Sequence, residues 1–365
     1  MNRDKVLGMF LGVAIGDALG IPAEGHSAED IAATFGRLDR YHPVSGHRWL
    51  GDLPKGATTD DWQLTRAVAE AIIHAGGLNM DAIVAWHVRA FHESVQGWGP
   101  TTQEAVAALA SGTPWTQSGR TKKPDRGLGN GVCMKVAPVG AYLAATSPNG
   151  NVENAAIVTN FLVDLARMTH DTSLGVASGL CQVAAVCECL RSDPVGFRVE
   201  SFIQAVVAAA RHGPQLPMPP ASTDDLSQRL RALIDHGHYG TARIITDLNG
   251  SSYVCHSLPF TYMFFVKNPQ GIDSLYDCVS AGGDTDSNGS MLASLLGALH
   301  GTAIFPKHLV DGLLSREAVF DVANRFCDLL NLGSVLPGLS PPSQCQPDVT
   351  RVAAGYVAHS LVVQM

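Results

Sequence analysis

Two short segments place oxygen-bearing side chains at a spacing that suits a hard divalent cation. The first is GGDTDS, residues 282–287, in which Asp284 and Asp286 stand two residues apart beside two hydroxyl side chains. Carboxylate and hydroxyl oxygens are typical ligands of Mg²⁺, Mn²⁺ or Ca²⁺, whereas zinc favours cysteine and histidine. The same hexapeptide is also typical of an ordinary turn followed by a helix cap, so it does not predict a metal site by itself.

The second segment is TTDD, residues 58–61, which precedes a helical pattern that begins near Leu64. Alone it could also be a helix cap with acids in the first turn, where the helix dipole favours them. Two such clusters at predicted helix starts, more than 200 residues apart in the chain, together favour a metal centre. One octahedral ion would use all six candidate ligands, whereas two ions sharing carboxylates would leave positions open for water and a substrate hydroxyl. We therefore predict a dinuclear Mg²⁺ or Mn²⁺ centre with the ligands Thr59, Asp60, Asp61, Asp284, Asp286 and Ser287.

Helical periodicity dominates the elements that must position these ligands, and alternating strand patterns are scarce. The sequence therefore predicts an all-α fold. Because the two ligand clusters lie far apart in the chain, we expect one compact domain over residues 1–332. A connector rich in Pro, Ser and Gln and a C-terminal helical extension would follow over 333–365. The predicted helices are 3–19, 60–76, 79–95, 101–111, 131–145, 151–167, 172–191, 197–211, 223–236, 256–267, 271–281, 285–301 and 315–331.

The composition excludes some classes of protein. The chain has 365 residues, of which 46% are hydrophobic, so it can bury a large core. Its net charge of −8 argues against nucleic-acid binding, because no broad basic surface offsets the acids. A short basic cluster is either a solvated loop or a phosphate contact, and its members are Arg120, Lys122, Lys123 and Arg126. The eight cysteines form no C-x-x-C pair, so we expect them to be reduced and structural.

The N-terminal segment is apolar but does not have the pattern of a secretory signal. Its apolar run is short, and Asp17 follows it where a cleavage site would carry small neutral residues. Glycine recurs at every fourth position from Gly8 to Gly20, which predicts a smooth helix face that a second helix can approach closely. We find no apolar run long and uninterrupted enough to span a membrane, and we expect a cytoplasmic protein.

Four sequence blocks, in this order, resemble those of the ADP-ribosylglycohydrolase family. They are GMFLGVAIGDALGIPAE at 8–24, TTDDWQLTRAVAEAI at 58–72, GNGVCMKVAPVG at 129–140 and GGDTDSNGSMLASLLGALHG at 282–301. Any one block is weak, whereas their ordered occurrence is specific. The resemblance implies a compact, orthogonal helical bundle that holds two Mg²⁺ or Mn²⁺ ions with the six ligands named above. Ser287 stands where a threonine is usual in the family, and it keeps the hydroxyl.

The resemblance also implies roles for residues other than the metal ligands. Glu24 matches a glutamate near the reacting bond, and we predict that it is the general base or a proton shuttle. Gly129, Asn130 and Gly131 match a loop that lies along ADP-ribose. We expect this loop to precede a helix that begins near Val132 and to contact the diphosphate there, although a plain helix-entry turn also explains the glycines.

Two further assignments concern the substrate, one concerns a supporting residue, and two more positions depart from the family pattern. His170 resembles a histidine that meets the nucleotide, although it could simply be a helix-start residue. Asp125 is the candidate partner for the guanidinium of an arginine leaving group. Trp62 replaces a small hydroxyl residue and would either narrow the cleft or turn into the core. Lys135 stands where an arginine is usual, and Asp17 would orient the turn that carries Glu24.

The activity implied by the resemblance is metal-dependent hydrolysis of the N-glycosidic bond between ADP-ribose and an arginine of a protein. Two alternatives stay open. One is hydrolysis of ADP-ribose linked to oxygen, in serine or in a small ADP-ribose ester. The other is a non-catalytic protein that binds ADP-ribose, or that blocks a cognate ADP-ribosyltransferase by occlusion, as in toxin immunity. The expected partners are the ADP-ribosylated protein and ADP-ribose, with neither nucleic acid nor a membrane.

Overall fold

The periodic apolar segments fold as helices, and the all-α prediction is confirmed. The computed structural model describes residues 1–47, 50–120, 123, 126–147, 152–212 and 224–333. Within these residues the only sheet is a two-stranded antiparallel hairpin, β1 (Val44–His47) and β2 (Gly51–Leu53). The described α-helices are α1 (Arg3–Gly20), α2 (Ala28–Thr34), α3 (Asp60–Ala75), α4 (Met80–Glu93), α5 (Pro100–Ala110), α6 (Trp115–Ser118), α7 (Ala137–Thr146), α8 (Val152–Thr169), α9 (Ser173–Arg191), α10 (Val199–His212), α11 (Leu226–Leu230), α12 (Thr241–Leu248), α13 (Val254–Lys267), α14 (Asp273–Val279), α15 (Thr285–His300), α16 (Lys307–Gly312) and α17 (Arg316–Leu329).

Each predicted helix has a counterpart in the structure, and the long ones agree to within a few residues. The prediction for 223–236 is met by α11 followed by a 3-10 segment, Arg231–His238. Four short helices were missed: α2, α6, α12 and α16. Their lengths of four to eight residues give too few turns for a periodic pattern to stand out.

The glycine-lined face of α1 packs against α15, as expected from the four-residue spacing. A Cβ atom at Gly12 would lie 2.1 Å from the carbonyl oxygen of Ala293. At Gly16 it would lie 2.2 Å from the carbonyl oxygen of Gly289. The two backbones are therefore in direct contact along the pair, which only glycine permits. This contact brings the end of α1 beside the start of α15, where Asp284 and Asp286 stand.

The last described helix, α17, ties α1 and α3 together. Arg325 forms a two-pronged ion pair with Glu70 of α3, with Nη1–Oε2 and Nη2–Oε1 distances of 2.7 and 2.5 Å. The Glu70 side chain is only 8% exposed. Arg3 of α1 donates to the carboxylate of Asp328 at 2.6 Å. α17 therefore holds the C-terminal half of α3, the helix that begins within TTDD.

Two helical segments are long and apolar enough to cross a membrane by length and composition, so the expectation that no such run exists was wrong. They are Arg3–Ala23 and Ser173–Arg191, with 94% and 83% of their apolar windows buried inside the protein. Helices packed in a protein core pass the same test. The apolar composition of these two segments reflects their burial against other helices, and the main example is α1 packed against α15.

Residues Met1–Gly333 form one compact unit. The predicted division into a domain over 1–332 and an extension over 333–365 stays a prediction, because residues 334–365 lie outside the described part of the chain. The seven cysteines within the described residues are all free and buried, as expected. Cys345 lies outside that part.

Candidate metal centre and substrate cleft

The predicted metal ligands and Glu24 come together from two helix starts and one turn. Asp60 and Asp61 lie in the first turn of α3, and Asp286 lies in the first turn of α15. Asp284 is the residue directly before α15. Glu24 directly follows the 3-10 segment Ile21–Ala23 at the end of α1. The N-termini of two helices therefore face one cluster of carboxylates, which the positive ends of the helix dipoles favour.

The carboxylates form two groups that share Asp286. In one group, oxygens of Glu24, Asp284 and Asp286 all lie within 4.8 Å of one another. In the other, oxygens of Asp60, Asp61 and Asp286 lie within the same distance. Asp286 therefore belongs to both groups, and each group could hold a metal ion. The structure also adds Glu24 to the possible metal ligands, a role that the sequence did not suggest.

Asp17 organises the TTDD segment rather than the turn that carries Glu24. Its carboxylate accepts hydrogen bonds from the backbone amide of Thr59 at 2.9 Å, the hydroxyl of Thr59 at 2.8 Å and the backbone amide of Trp62 at 3.0 Å. Asp17 thus caps α3 in place of the Thr59 side chain, which makes no capping bond. Because the Thr59 hydroxyl donates to Asp17, its lone pairs are oriented away from Asp17 and can face a cation.

The double glycine of GGDTDS is required by the turn that precedes α15. Gly282 and Gly283 both have a φ of +85°, a conformation that L side chains rarely adopt. The backbone of Gly283 exchanges two hydrogen bonds with residues 25 and 26, at 2.8 and 3.0 Å. On the other side, the amide of Asp284 donates to the carbonyl of Gly250 at 2.8 Å. The turn is therefore clamped from both sides, and Asp284 is held in place by its own backbone.

Burial and mutual repulsion disfavour the charged form of the clustered acids. Burial, reinforced by neighbouring carboxylates, raises the pKa of Asp60, Asp61 and Asp286 well above their usual range. Burial and then the charges of Asp284 and Asp17 raise the pKa of Glu24 to about 7. These are the conditions that a divalent cation would relieve.

One buried oxygen of the cluster has no hydrogen-bond partner among the described residues, which is consistent with a bound cation. Oδ1 of Asp61 is buried and has no hydrogen-bond partner among the described residues. Its other oxygen accepts a hydrogen bond from the hydroxyl of Ser287 at 3.2 Å. A buried, unpaired carboxylate oxygen is costly, and an ion would satisfy it. The residues present therefore fit a metal ion, and their oxygen-only chemistry favours a hard one.

The GNG segment lies against the acidic cluster, but it is not the start of an α-helix. Asn130 is 5% exposed, and its side-chain amide donates to Oδ2 of Asp284 at 2.6 Å and to the hydroxyl of Ser257 at 3.1 Å. The expected helix start near Val132 was wrong. A 3-10 turn covers Cys133–Lys135 and α7 begins at Ala137, because Pro138 favours the first turn of a helix.

The glycine at position 131 is explained by packing. A Cβ atom there would lie 2.7 Å from the imidazole of His170. His170 is 2% exposed, its Nδ1 lies 3.0 Å from the hydroxyl of Thr169, and burial lowers its pKa to about 3. Lys135 is also fully buried, with Nζ 3.4 Å from the same hydroxyl, and burial lowers its pKa to about 7. In this structure the imidazole of His170 packs against Gly131, and its contact with the nucleotide stays a prediction.

The remaining sequence assignments concern Trp62, Asp125 and the basic cluster. Trp62 is 4% exposed and belongs to the core, so it does not narrow the cleft. Asp125 and Lys122 lie outside the described residues. The other members of the basic cluster are paired with acids: Lys123 and Arg126 with Glu104, and Arg120 with Asp171. These ion pairs favour the solvated-loop interpretation.

Two contributors to the site were missed. Asn288 links three segments: Oδ1 accepts hydrogen bonds from Ser257 at 2.6 Å and Thr261 at 3.1 Å, and Nδ2 donates to the carbonyl of Gly250 at 2.7 Å. Its signal was an amide side chain in the otherwise small and apolar pattern that follows GGDTDS. The second contributor is Gly97, whose backbone lies beside Asp60. No spacing in the sequence connects this glycine with the carboxylates.

Several known proteins are similar to this chain over most of its length. A family model described as ADP-ribosylglycohydrolase matches residues 1–334. The ADP-ribosylarginine hydrolase Tri1 of Serratia proteamaculans is 26% identical over 89% of this chain and 79% of its own. The ADP-ribosyl-[dinitrogen reductase] glycohydrolase of Rhodospirillum rubrum is 23% identical over 83% of this chain and 88% of its own. A solved structure titled ADP-ribosylglycohydrolase-related protein complex has a TM-score of 0.63 at 23% identity, covering 90% of this chain and 98% of its own, which supports the fold.

Proposed function

Because the chain belongs to the ADP-ribosylglycohydrolase family, we propose that it releases ADP-ribose from modified arginine on proteins with the help of two Mg²⁺ or Mn²⁺ ions. Family membership makes it a hydrolase of ADP-ribose linkages. The arginine linkage is the finer part of the proposal, and the similarity to a relative named ADP-ribosylarginine hydrolase supports it. We include a cytoplasmic location and a modified protein substrate in the same proposal.

The observation that carries the proposal is the pair of carboxylate groups that share Asp286. Together with the hydroxyls of Thr59 and Ser287 they supply oxygen ligands only, which suits Mg²⁺ or Mn²⁺. The unpaired, buried Oδ1 of Asp61 fits this use. When bound, two such ions would chelate ribose hydroxyls and lower the pKa of a water molecule.

The protein's own residues would supply positioning and proton transfer. Hydrolysis of the bond at the ribose carbon adds a hydroxyl to that carbon and a proton to the leaving nitrogen. Glu24 is the acid best placed to move this proton, because its carboxylate lies in one group with those of Asp284 and Asp286. Asn130 would hold Asp284 in orientation by donating to Oδ2. The clamped turn at Gly283 fixes the same carboxylate through the backbone.

One observation favours a second candidate, hydrolysis of ADP-ribose linked to oxygen. The backbone of Gly97 borders Asp60, and the segment around it, Ser94–Gly99, carries no charged side chain. A guanidinium leaving group gains from a carboxylate nearby, whereas a serine hydroxyl does not need one. Both bonds break at the same ribose carbon, so the carboxylate cluster serves either reaction.

The test is a direct comparison of arginine-linked and serine-linked ADP-ribosyl peptides, each with Mg²⁺, Mn²⁺ or EDTA. We expect release of free ADP-ribose from the arginine-linked peptide with metal and none with EDTA. Asp286→Asn should abolish release, because it removes the carboxylate shared by both groups. The matched control is Asp247→Asn on the exposed face of α12, which should keep full activity. Preferential release from the serine-linked peptide would favour the second candidate, and inactivity on both would contradict a hydrolase.

A further inference from the structure

The loop between α4 and α5, residues 94–99, is fixed to the helix that carries TTDD. Gln63 of α3 makes three hydrogen bonds with one amide group. Its Nε2 donates to the carbonyls of Ala90 and Ser94, each at 3.0 Å, and its Oε1 accepts from Nε1 of Trp98 at 2.7 Å. Both ends of the loop are therefore held by a residue only a few positions after Asp60, in the same helix.

The loop backbone reaches the edge of the acidic cluster at Gly97. A Cβ atom on this residue would lie 2.8 Å from Oδ1 of Asp60 and 3.0 Å from Cβ of Thr59. Gly97 also has a φ of +81°, so two independent constraints require glycine here. Trp98 turns inward, at 6% exposure, and its ring packs edge-on against Phe91 with the centroids 5.9 Å apart. The loop is thus rigidly supported where it meets the carboxylates.

The tip of the loop faces outward beside this contact. Val95 is 39% exposed and Gln96 is also exposed. Consecutive Cα atoms are about 3.8 Å apart, so both tip residues lie within about 7.6 Å of the Gly97 Cα atom. A group bound at the cluster is therefore close enough to contact the side chains of both tip residues. The tip offers an apolar and a neutral polar side chain and no charge.

We propose that loop 94–99, held by Gln63 beside Asp60, is the surface that contacts the group attached to ADP-ribose and thereby selects the linkage. The inference rests on the proposed function. Asn130 and its neighbours occupy the Asp284 side of the cluster, where the rest of ADP-ribose would lie. A ribose held between the two sides directs its substituent toward the Asp60 side, where the loop stands. Gln63 is then a positioning residue, and the tip residues determine specificity.

Adding a negative charge at the tip provides the first test. Gln96→Glu should raise the ratio of kcat/KM for the arginine-linked over the serine-linked peptide by about two- to fivefold, the size expected for a solvent-exposed ion pair with the guanidinium. The Kd of free ADP-ribose, which lacks the leaving group, should not change. The matched control is Gln228→Glu, the same change at an exposed glutamine of α11, which should alter neither quantity. An unchanged ratio in Gln96→Glu would overturn the proposal.

Releasing the loop provides the second test. Gln63→Leu removes the three hydrogen bonds. It should reduce the difference between the KM values for the arginine-linked and serine-linked peptides. The affinities for Mn²⁺ and for free ADP-ribose, measured by calorimetry, should stay as in the wild type. A parallel loss of ADP-ribose affinity would show that the loop contacts the nucleotide instead, and a loss of Mn²⁺ affinity would show a purely structural role. Either result would overturn the proposal.

Failure of this inference can be distinguished from failure of the proposed function. The binding of both peptides and of ADP-ribose is measured alongside turnover. If the wild-type protein binds them but does not hydrolyse the peptides, the loop proposal is still tested by the ratio of its affinities for the arginine-linked and serine-linked peptides. If the metal-loaded wild type binds and cleaves, yet Gln96→Glu and Gln63→Leu leave the preference unchanged, only the loop proposal fails. If neither ADP-ribose nor either peptide binds, both proposals fail.

Discussion

Without metal, replacing Glu24 by glutamine is expected to stabilise the folded protein, and increasingly so as the pH rises. Burial and the charges of Asp284 and Asp17 raise the pKa of Glu24 from 4.5 to about 7 on folding. Between these values the folded protein holds a proton that the unfolded chain has released. Each increase in pH within this range therefore lowers the free energy of unfolding of the wild type. This loss of unfolding free energy is absent below about pH 4 and complete above about pH 7. It does not occur in the glutamine variant, whose side chain does not ionise.

The expected size follows from the two pKa values. Each pH unit between 4.5 and about 7 corresponds to about 1.4 kcal/mol, so the full effect is about 3 kcal/mol. Other buried groups also titrate in this range: burial lowers the pKa of His87 and His170 to about 3. These two histidines are common to both proteins and cancel in the difference between variant and wild type. The Glu24 charge also raises the pKa of Asp60 and Asp286. Its removal lowers these two pKa values, which adds to the stability gained by the variant. Saturating Mn²⁺ should remove the gain, because the ion favours the ionised carboxylate that the variant lacks.

The assay is urea unfolding of the wild type and Glu24→Gln in EDTA at several pH values from 4 to 8. The unfolding free energy of Glu24→Gln minus that of the wild type should be smallest at pH 4. It should be about 3 kcal/mol larger at pH 8, and the two proteins should have equal m-values. Glu317→Gln removes a carboxylate from the exposed face of α17 and serves as the matched control, for which no such growth is expected. If the difference in unfolding free energy between Glu24→Gln and the wild type does not change with pH, the argument that burial raises the pKa of Glu24 is refuted.

Three further substitutions test other contacts. Gly12→Ala should cost about 3 kcal/mol or more of stability in thermal unfolding, because its Cβ would lie 2.1 Å from a carbonyl oxygen of α15; Gly237→Ala, with no atom within 4 Å, is the control. Arg325→Met should cost about 3 kcal/mol in urea unfolding, because it leaves the buried Glu70 without its partner, and a loss below about 1 kcal/mol would contradict this. Asp17→Asn should weaken Mn²⁺ binding by about tenfold in calorimetry through the lost orientation of TTDD, and unchanged affinity would mean that the cap is dispensable.

The sequence predicted most of the fold because helix length and apolar periodicity are local properties. The long helices α1, α3, α9 and α15 each show an uninterrupted pattern, and their observed bounds lie within about two residues of those expected. The two carboxylate clusters were found for a related reason. Acids concentrated at two helix starts are unusual enough to be recognised, and the structure brings those two starts together.

What the sequence did not predict depends on contacts between distant segments. Periodicity alone could not show that Pro138 delays the start of α7, since the apolar pattern runs through the 3-10 turn before it. The sequence did not indicate that His170 is buried against Gly131, because this contact arises only when α8 and the GNG segment pack. The contact between Gly97 and Asp60 likewise joins two segments that share no pattern.

The position of the acidic cluster follows from how α1 packs on α15. A Cβ atom at Gly20, the last residue of α1, would lie 2.2 Å from the carbonyl oxygen of Thr285, and the hydroxyl of Thr285 donates back to the carbonyl of Gly20 at 2.7 Å. The end of α1 is therefore fixed against the start of α15 by direct backbone contact. Asp17 and Glu24 flank this contact on one helix end, and the GGDTDS carboxylates flank it on the other. Close glycine packing thus sets the spacing of acids whose repulsion would otherwise drive them apart, and a bound cation is the interaction that would make the spacing favourable.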